Sequence, residues 1–172
     1  MLLSALSRLR PGTWSADVVT QEPDLPPLPT GVTVHRGLTA GSAPLRALFA
    51  AADVFVLPTS GDASPFAVME AMAAGLAVIS TRVGAIPEMV SPGRTGILTE
   101  VGDAEALVAG LARLAADRAL CRRMGEAGRR AAEVRYDSAR NYPALLETLK
   151  RAAAGGRRPD PTASPASRRR WS

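Results

Sequence analysis

With 172 residues, 47% of them hydrophobic, the chain is long enough for one domain with a proper core. The single cysteine, Cys121, excludes a disulfide framework and fits a reducing, cytoplasmic compartment. The net charge of +5 is confined to one end: residues 1–150 hold 15 Lys/Arg against 15 Asp/Glu, and residues 151–172 hold six arginines against one aspartate.

In chain order, residues 2–10 (LLSALSRLR) read as a short amphipathic helix ended by Pro11-Gly12. Its arginines follow the apolar residues, the reverse of a secretory signal. ADVVT at 16–20 and VTVHRG at 32–37 are strand candidates on either side of a proline-rich loop. APLRALFAAA at 43–52 is helical, and DVFVLP at 53–58 is a short, nearly continuous apolar strand. A helix at 65–74, a strand LAVIST at 76–81, a helical turn near 86–90 and a strand TGILT at 95–99 follow. No apolar run is both long and uncharged enough to span a bilayer, because the best candidates are interrupted at Asp53 and Glu70. Short apolar strands alternating with helices predict an α/β domain, doubly wound, with a parallel sheet covered by helices on both faces. From residue 103 the pattern is helical, with Asp103 as a cap and Pro143 near the start of, or kinking, the last helix. The domain is predicted to span 1–151. The Pro-, Ser- and Arg-rich residues 152–172 cannot build a core and read as a disordered basic tail with no specific nucleic-acid partner.

The chemistry concentrates in GDASPFAVMEAMAAG, residues 61–75. In an open parallel sheet, ligands bind beyond the carboxyl ends of the strands, where loops enter helix N-termini. Here a strand ends at Pro58, a loop follows, and Ser64-Pro65 reads as a cap with proline at the first helical position. The amides of that first turn and the helix dipole make an anion site. Pro65 has no N–H, so the donors are Phe66, Ala67 and the loop backbone around Ala63 and Ser64. Asp62 precedes the helix and Glu70 lies inside it, two carboxylates beside the anion site that suit a ligand with phosphates and hydroxyls. Glu70 is surrounded at i±3 and i±4 by Phe66, Ala67, Ala73 and Ala74, which predicts a buried helix and a carboxylate needing a partner, either a core arginine or backbone amide or a ligand. Asp62 is equally readable as a turn residue. Gly84 reads either as a glycine beside a ligand or as a turn glycine. His35, the only histidine, reads as a strand residue, and no GxGxxG, Walker loop or metal-ligand cluster is present.

Together, ADVFVLPT, GDASPFAVMEAMAAGLAVIST, VGAIPEMVSPGRTGILTEVGDAEAL and RRMGEAGRR, in this order, resemble the C-terminal, donor-binding half of family-4 retaining glycosyltransferases of the GT-B fold. The family's acidic pair, E-x7-E, falls on Asp62 and Glu70. The resemblance implies that Glu70 binds the ribose of a nucleotide-diphosphate sugar, that Asp62 contacts the donor sugar, and that the amides of Ala63, Ser64, Phe66 and Ala67 hold the diphosphate. It implies sugar transfer with retention, no metal and no cofactor beyond the donor itself. Three departures stand out. Asp62 is one methylene shorter than the usual Glu, and Ala63-Ser64-Pro65 replaces a glycine-containing turn. The family's first strand and its acceptor-binding domain would precede Met1, which implies a domain completed in cis or in trans by an N-terminal half. The alternatives are a non-catalytic remnant or partner subunit and half of a sugar-nucleotide epimerase. Donor sugar, base and acceptor are not encoded in these motifs.

Overall fold

The structure, a computed structural model, describes residues 1–63 and 65–154. Twelve elements follow one another: α1 (Leu2–Leu6), β1 (Ala16–Val19), β2 (Val32–His35), α2 (Ala43–Ala51), β3 (Val54–Leu57), α3 (Phe66–Ala74), β4 (Ala77–Thr81), α4 (Ile86–Met89), β5 (Gly96–Thr99), α5 (Ala104–Ala116), α6 (Arg118–Arg135) and α7 (Ser138–Ala154). All match predicted segments. The first helix is shorter than its pattern, because its last apolar residues continue as a turn before Pro11.

All strand pairs are parallel, as the apolar runs imply, but the sheet is in two pieces. β1 pairs with β2, opposing Ala16 to Val32 and Val19 to His35. β3, β4 and β5 form a second sheet with β4 in the middle, Val54 opposite Ala77 and Ile79 opposite Ile97. No described ladder joins the two sheets, a departure from the single sheet that the sequence suggests.

Strand β4 is the centre of the core. All five of its residues are buried, and its side chains alternate between two apolar clusters. Ala77 and Ile79 point into one, with Ala5 and Leu6 of α1, Leu107, Leu111 and Leu114 of α5, and Cys121 and Met124 of α6. Val78 points into the other, with Val68, Ala71 and Met72 of α3, Ile86 and Met89 of α4, and Ala132 of α6. Helices thus cover both faces. Arg8, in the turn after α1, and Glu105 in the first turn of α5 form a two-pronged ion pair at 2.6 and 2.8 Å on the surface. Asp103 and Asp117 cap α5 and α6, accepting from the amides of Ala106 and Leu120.

α6 crosses the end of α3 at a point where only glycine fits. A methyl group on Gly125 would lie 1.9 Å from the carbonyl oxygen of Gly75, the residue that ends α3. Cys121 donates its thiol to the carbonyl of Asp53 at 3.2 Å, and burial first, then the Asp53 charge, pushes its pKa up.

The residues divide into two compact units, Met1–Tyr136 and a second that begins at Asp137. Within the second, Asp137 accepts from the amide of Ala139 at the start of α7. Pro143 lies inside that helix, and Tyr142, Leu145, Leu146 and Leu149 are exposed. The helix runs three residues past the boundary expected at 151. The basic tail, from residue 155 onward, lies outside the described residues.

Two consequences are testable. Gly125→Ala should destabilise the domain by about 1–3 kcal/mol, because the Gly75 backbone cannot yield without moving α3; an unchanged urea midpoint contradicts the close approach. The raised thiol pKa means the unfolded chain forms thiolate first as pH rises. The Cys121 contribution is therefore intact below the ordinary thiol pKa and falls away as pH climbs through the folded value. Native Cys121 should react slowly with a thiol reagent at pH 8 and rapidly in urea.

Candidate functional site

The site is built on the carboxyl end of β3 and the loop that leads into α3. β4 fixes it from the side. Buried Ser80 donates its hydroxyl to the Leu57 carbonyl at 2.7 Å, and buried Thr81 donates to the Thr59 carbonyl at 2.6 Å. Thr59 folds the next residues over itself, its hydroxyl donating to the Gly61 carbonyl and accepting from the Gly61 amide. Farther along, the Ala85 amide donates to the Ala63 carbonyl at 3.0 Å. The loop is therefore tied at both ends to the strand and turn that follow α3.

Gly84 makes the closest of these contacts. It has φ +53, and a methyl group there would lie 2.1 Å from the Asp62 carbonyl oxygen and 2.8 Å from that of Ala63. The sequence left open whether this glycine faces a ligand or makes a turn. The structure gives it a turn conformation pressed against the backbone of the candidate loop, so it shapes the site from behind.

Helix α3 begins one residue later than its pattern suggests. Pro65 occupies the cap, with φ −71 and ψ 115, and Phe66 is the first helical residue. The expected cap, Ser64, lies outside the described residues. Proline offers no side-chain acceptor to the first-turn amides. Val68 donates to the Pro65 carbonyl, whereas the Phe66 and Ala67 amides find no backbone acceptor among the described residues. Those two groups carry the positive end of the helix dipole.

Glu70 overturns one expectation. The apolar surroundings predicted a buried carboxylate, but Glu70 is exposed. Val68, Ala71 and Met72 alone carry the buried face of α3, while Phe66, Glu70, Ala73 and Ala74 form an exposed one. Alanine-rich composition misled the pattern, because alanine sits equally well on either face. Among the described residues no cation or amide pairs with Glu70, so the core-arginine alternative fails. Phe66 is 77% exposed at the mouth of the same face. Asp62 is half-buried in the loop and has an interaction partner of its own. Asp62, Ala63, Phe66, Ala67 and Glu70 are thus brought to one loop-and-helix segment, with Gly84 packed behind it. Thr59, Ser80, Thr81 and Ala85 are the positioning residues that the motifs did not reveal. For Ser80 and Thr81 the sequence signal is a pair of hydroxyl residues at the end of an otherwise apolar strand, and Ala85 acts through its backbone amide.

His35 lies away from this loop, its Nε2 2.7 Å from Asp17 Oδ1 on the neighbouring strand. Beyond the carboxyl ends of β4 and β5, Arg82 pairs with Glu100 at 3.2 Å. No group of three potential metal ligands occurs among the described residues, and none of their helices is long and apolar enough to cross a membrane.

The profile of the family described as glycosyl transferases group 1 matches residues 1–117. The chain belongs to that family. It is 37% identical over 118 residues to the sulfoquinovosyl transferase of Arabidopsis thaliana, covering 66% of this chain and 23% of that protein. It is 40% identical over 93 residues to the D-inositol 3-phosphate glycosyltransferase of Streptomyces avermitilis, covering 54% and 20%. Among solved structures, Anabaena HepE in complex with UDP-glucose superposes with a TM-score of 0.75 at 22% identity, over 87% of this chain and 44% of that one. Sucrose-phosphate synthase of Thermosynechococcus elongatus gives 0.67 at 28% identity, over 73% and 31%. This group 1 glycosyltransferase chain therefore has the GT-B half-fold, and it spans about a quarter of the length of the curated relatives it matches.

Gly84→Ala tests the scaffold of the site. It should displace the Asp62–Ala63 backbone while leaving the β4 core folded, seen as amide shifts confined to residues 59–67 and 82–86. Unperturbed loop resonances would show that Gly84 does not set the loop.

Proposed function

We propose that residues 1–136 of this group 1 glycosyltransferase bind a nucleoside-diphosphate sugar at the loop between β3 and α3. The observation that carries this reading is the exposure of Glu70 on α3, whose Phe66 and Ala67 amides have no backbone acceptor among the described residues. A solvated carboxylate about a turn and a half inside the helix, near those first-turn N–H groups, offers acceptors for ribose hydroxyls and donors for phosphate oxygens. In this reading Glu70 takes the ribose and Asp62 the sugar hydroxyls. The Phe66 and Ala67 amides, with the Ala63–Ser64 backbone, hold the diphosphate.

The reaction proposed is sugar transfer with retention of anomeric configuration and without a metal ion. When the anomeric carbon leaves the diphosphate, negative charge grows on the departing phosphate oxygens. The first-turn amides of α3 are fixed by helix and loop before the reaction, so they stabilise that charge without reorganising. Pro65 removes one donor from this turn, and Asp62 reaches less far than a glutamate. Both changes weaken the grip on the donor relative to a glycine-turn, two-glutamate site. The acceptor site and the rest of the diphosphate's positive surroundings are proposed to come from an N-terminal domain, joined in cis or in trans. The enclosed site of such an enzyme needs both halves, so residues 1–172 alone should transfer no sugar. A non-catalytic partner role is the second reading, favoured by the departures at Asp62 and Pro65. The glycosyltransferase family match sets the epimerase alternative aside.

Titration calorimetry with a panel of UDP- and GDP-sugars tests the binding. Glu70→Ala should weaken the best donor by about tenfold to a hundredfold, the worth of hydrogen bonds to a charged group. Because Glu70 is exposed and pairs with no described residue, the same change should leave the melting temperature within about a degree. Unchanged affinity, or unfolding of the variant, refutes the assignment.

A further inference from the structure

We infer that α7, with the arginine-rich residues that follow it, is an interfacial helix that lies on an anionic lipid surface. The inference rests on the second unit alone and is independent of the donor chemistry proposed for the first.

Helix α7 has two distinct faces. Tyr142, Leu145, Leu146 and Leu149 recur at i, i+3, i+4 and i+7, which stacks them in one stripe. All four are more than half exposed, and no residue of α7 is buried. At about 100° per residue, Arg140, Glu147 and Arg151 fall on the opposite face, and Lys150 borders the stripe. A single exposed leucine needs no explanation. Four large apolar side chains on one stripe form a contiguous surface, and such a surface marks a contact.

Charge selects what makes that contact. Residues 1–136 carry 13 Lys/Arg and 13 Asp/Glu, whereas residues 137–172 carry eight and three. The whole excess of +5 therefore falls on the unit that contains α7. Arg140, Lys150 and Arg151 lie on the helix, and five more arginines follow between residues 157 and 170. An apolar stripe and concentrated arginine on one short segment match a bilayer surface, with its acyl chains below and anionic headgroups above. The long stem of Lys150 lets its ammonium reach the headgroups from the edge of the stripe. Tyr142 has the amphipathic ring that favours the headgroup level.

The competing occupants use only half of these features. A nucleic acid would engage the arginines and leave the leucines in water. A second copy would bury the leucines, but the stripe is little more than one heptad long, against the three or four that sustain a coiled coil. Pairing would also bring two equally basic segments together. A lipid surface uses the stripe and the charge at once. One weak anchor gives marginal, reversible binding and two give stable binding, so loss of either feature should release the chain.

The test is co-sedimentation of the full 172-residue chain with vesicles of phosphatidylglycerol and phosphatidylcholine, and with phosphatidylcholine alone. Binding to the anionic vesicles should exceed binding to the neutral ones by about tenfold or more and fall as salt rises. Leu145→Gln combined with Leu149→Gln should weaken it about tenfold, with circular dichroism showing the helix retained, because glutamine is a good helix former. Changing Arg168, Arg169 and Arg170 to Gln, outside α7, should weaken it comparably. If the leucine pair melts α7, hydrogen exchange of the unaltered chain decides: anionic vesicles should slow the α7 amides and neutral vesicles should not. Absence of vesicle binding, or equal binding to neutral vesicles, overturns the proposal. So does binding that survives the leucine changes with α7 intact, which would leave a polyanion site made by the arginines alone. A dimer in sedimentation that the leucine changes abolish would make a second copy the occupant and overturn it as well.

Discussion

The rest of the molecule depends on β4. Its five buried residues separate the two apolar clusters, so helices on both faces are positioned from one strand of AVIST. The same strand ends in two hydroxyls that reach sideways to the carbonyls of Leu57 and Thr59. Buried hydroxyls must be satisfied, and here they are met by the carbonyl that ends β3 and by that of Thr59 just beyond it. The requirement that keeps the core free of orphan polar groups therefore also fixes the start of the candidate loop. Core packing and site geometry are not separate designs in this domain.

The loop is then closed from the other side by Gly84 and the Ala85 amide. A backbone clamped between a strand end and a turn can hold amides toward a ligand without first ordering them. That matters for the proposed site, which would rely mostly on main-chain donors, because the entropy of fixing the chain has been met by folding. It also explains how the site tolerates a proline at the helix cap. The side-chain cap is lost, but the loop's position does not rest on it.

Much of this was legible in the sequence, for identifiable reasons. VFVL and AVIST were found because strands of a covered parallel sheet read as short continuous apolar runs, and VTVH by its alternation of apolar and polar residues. Asp103 announced its helix by its place before a periodic apolar stretch. The burial of Glu70 was misread because alanine carries no directional information, and the exposed face of α3 contains Ala73 and Ala74 where another helix would carry lysine or glutamate. The loop tethers were hidden for a different reason. Which carbonyl a serine or threonine bonds is set by the register of neighbouring strands, and Ser80 meets Leu57 across 23 residues of chain. The break in the sheet was equally invisible, since strand count and polarity do not specify which strands are neighbours.

That break bears on function through the same geometry. β3 carries the candidate loop at its carboxyl end, and one side of β3 is held by β4. Its other side pairs with no described strand. A strand paired on one edge frays more readily than one paired on both, so the loop's anchor is firm at Thr59 and Ala63 but open along the strand that delivers it. The half-buried side chains of VFVL lie along that open strand.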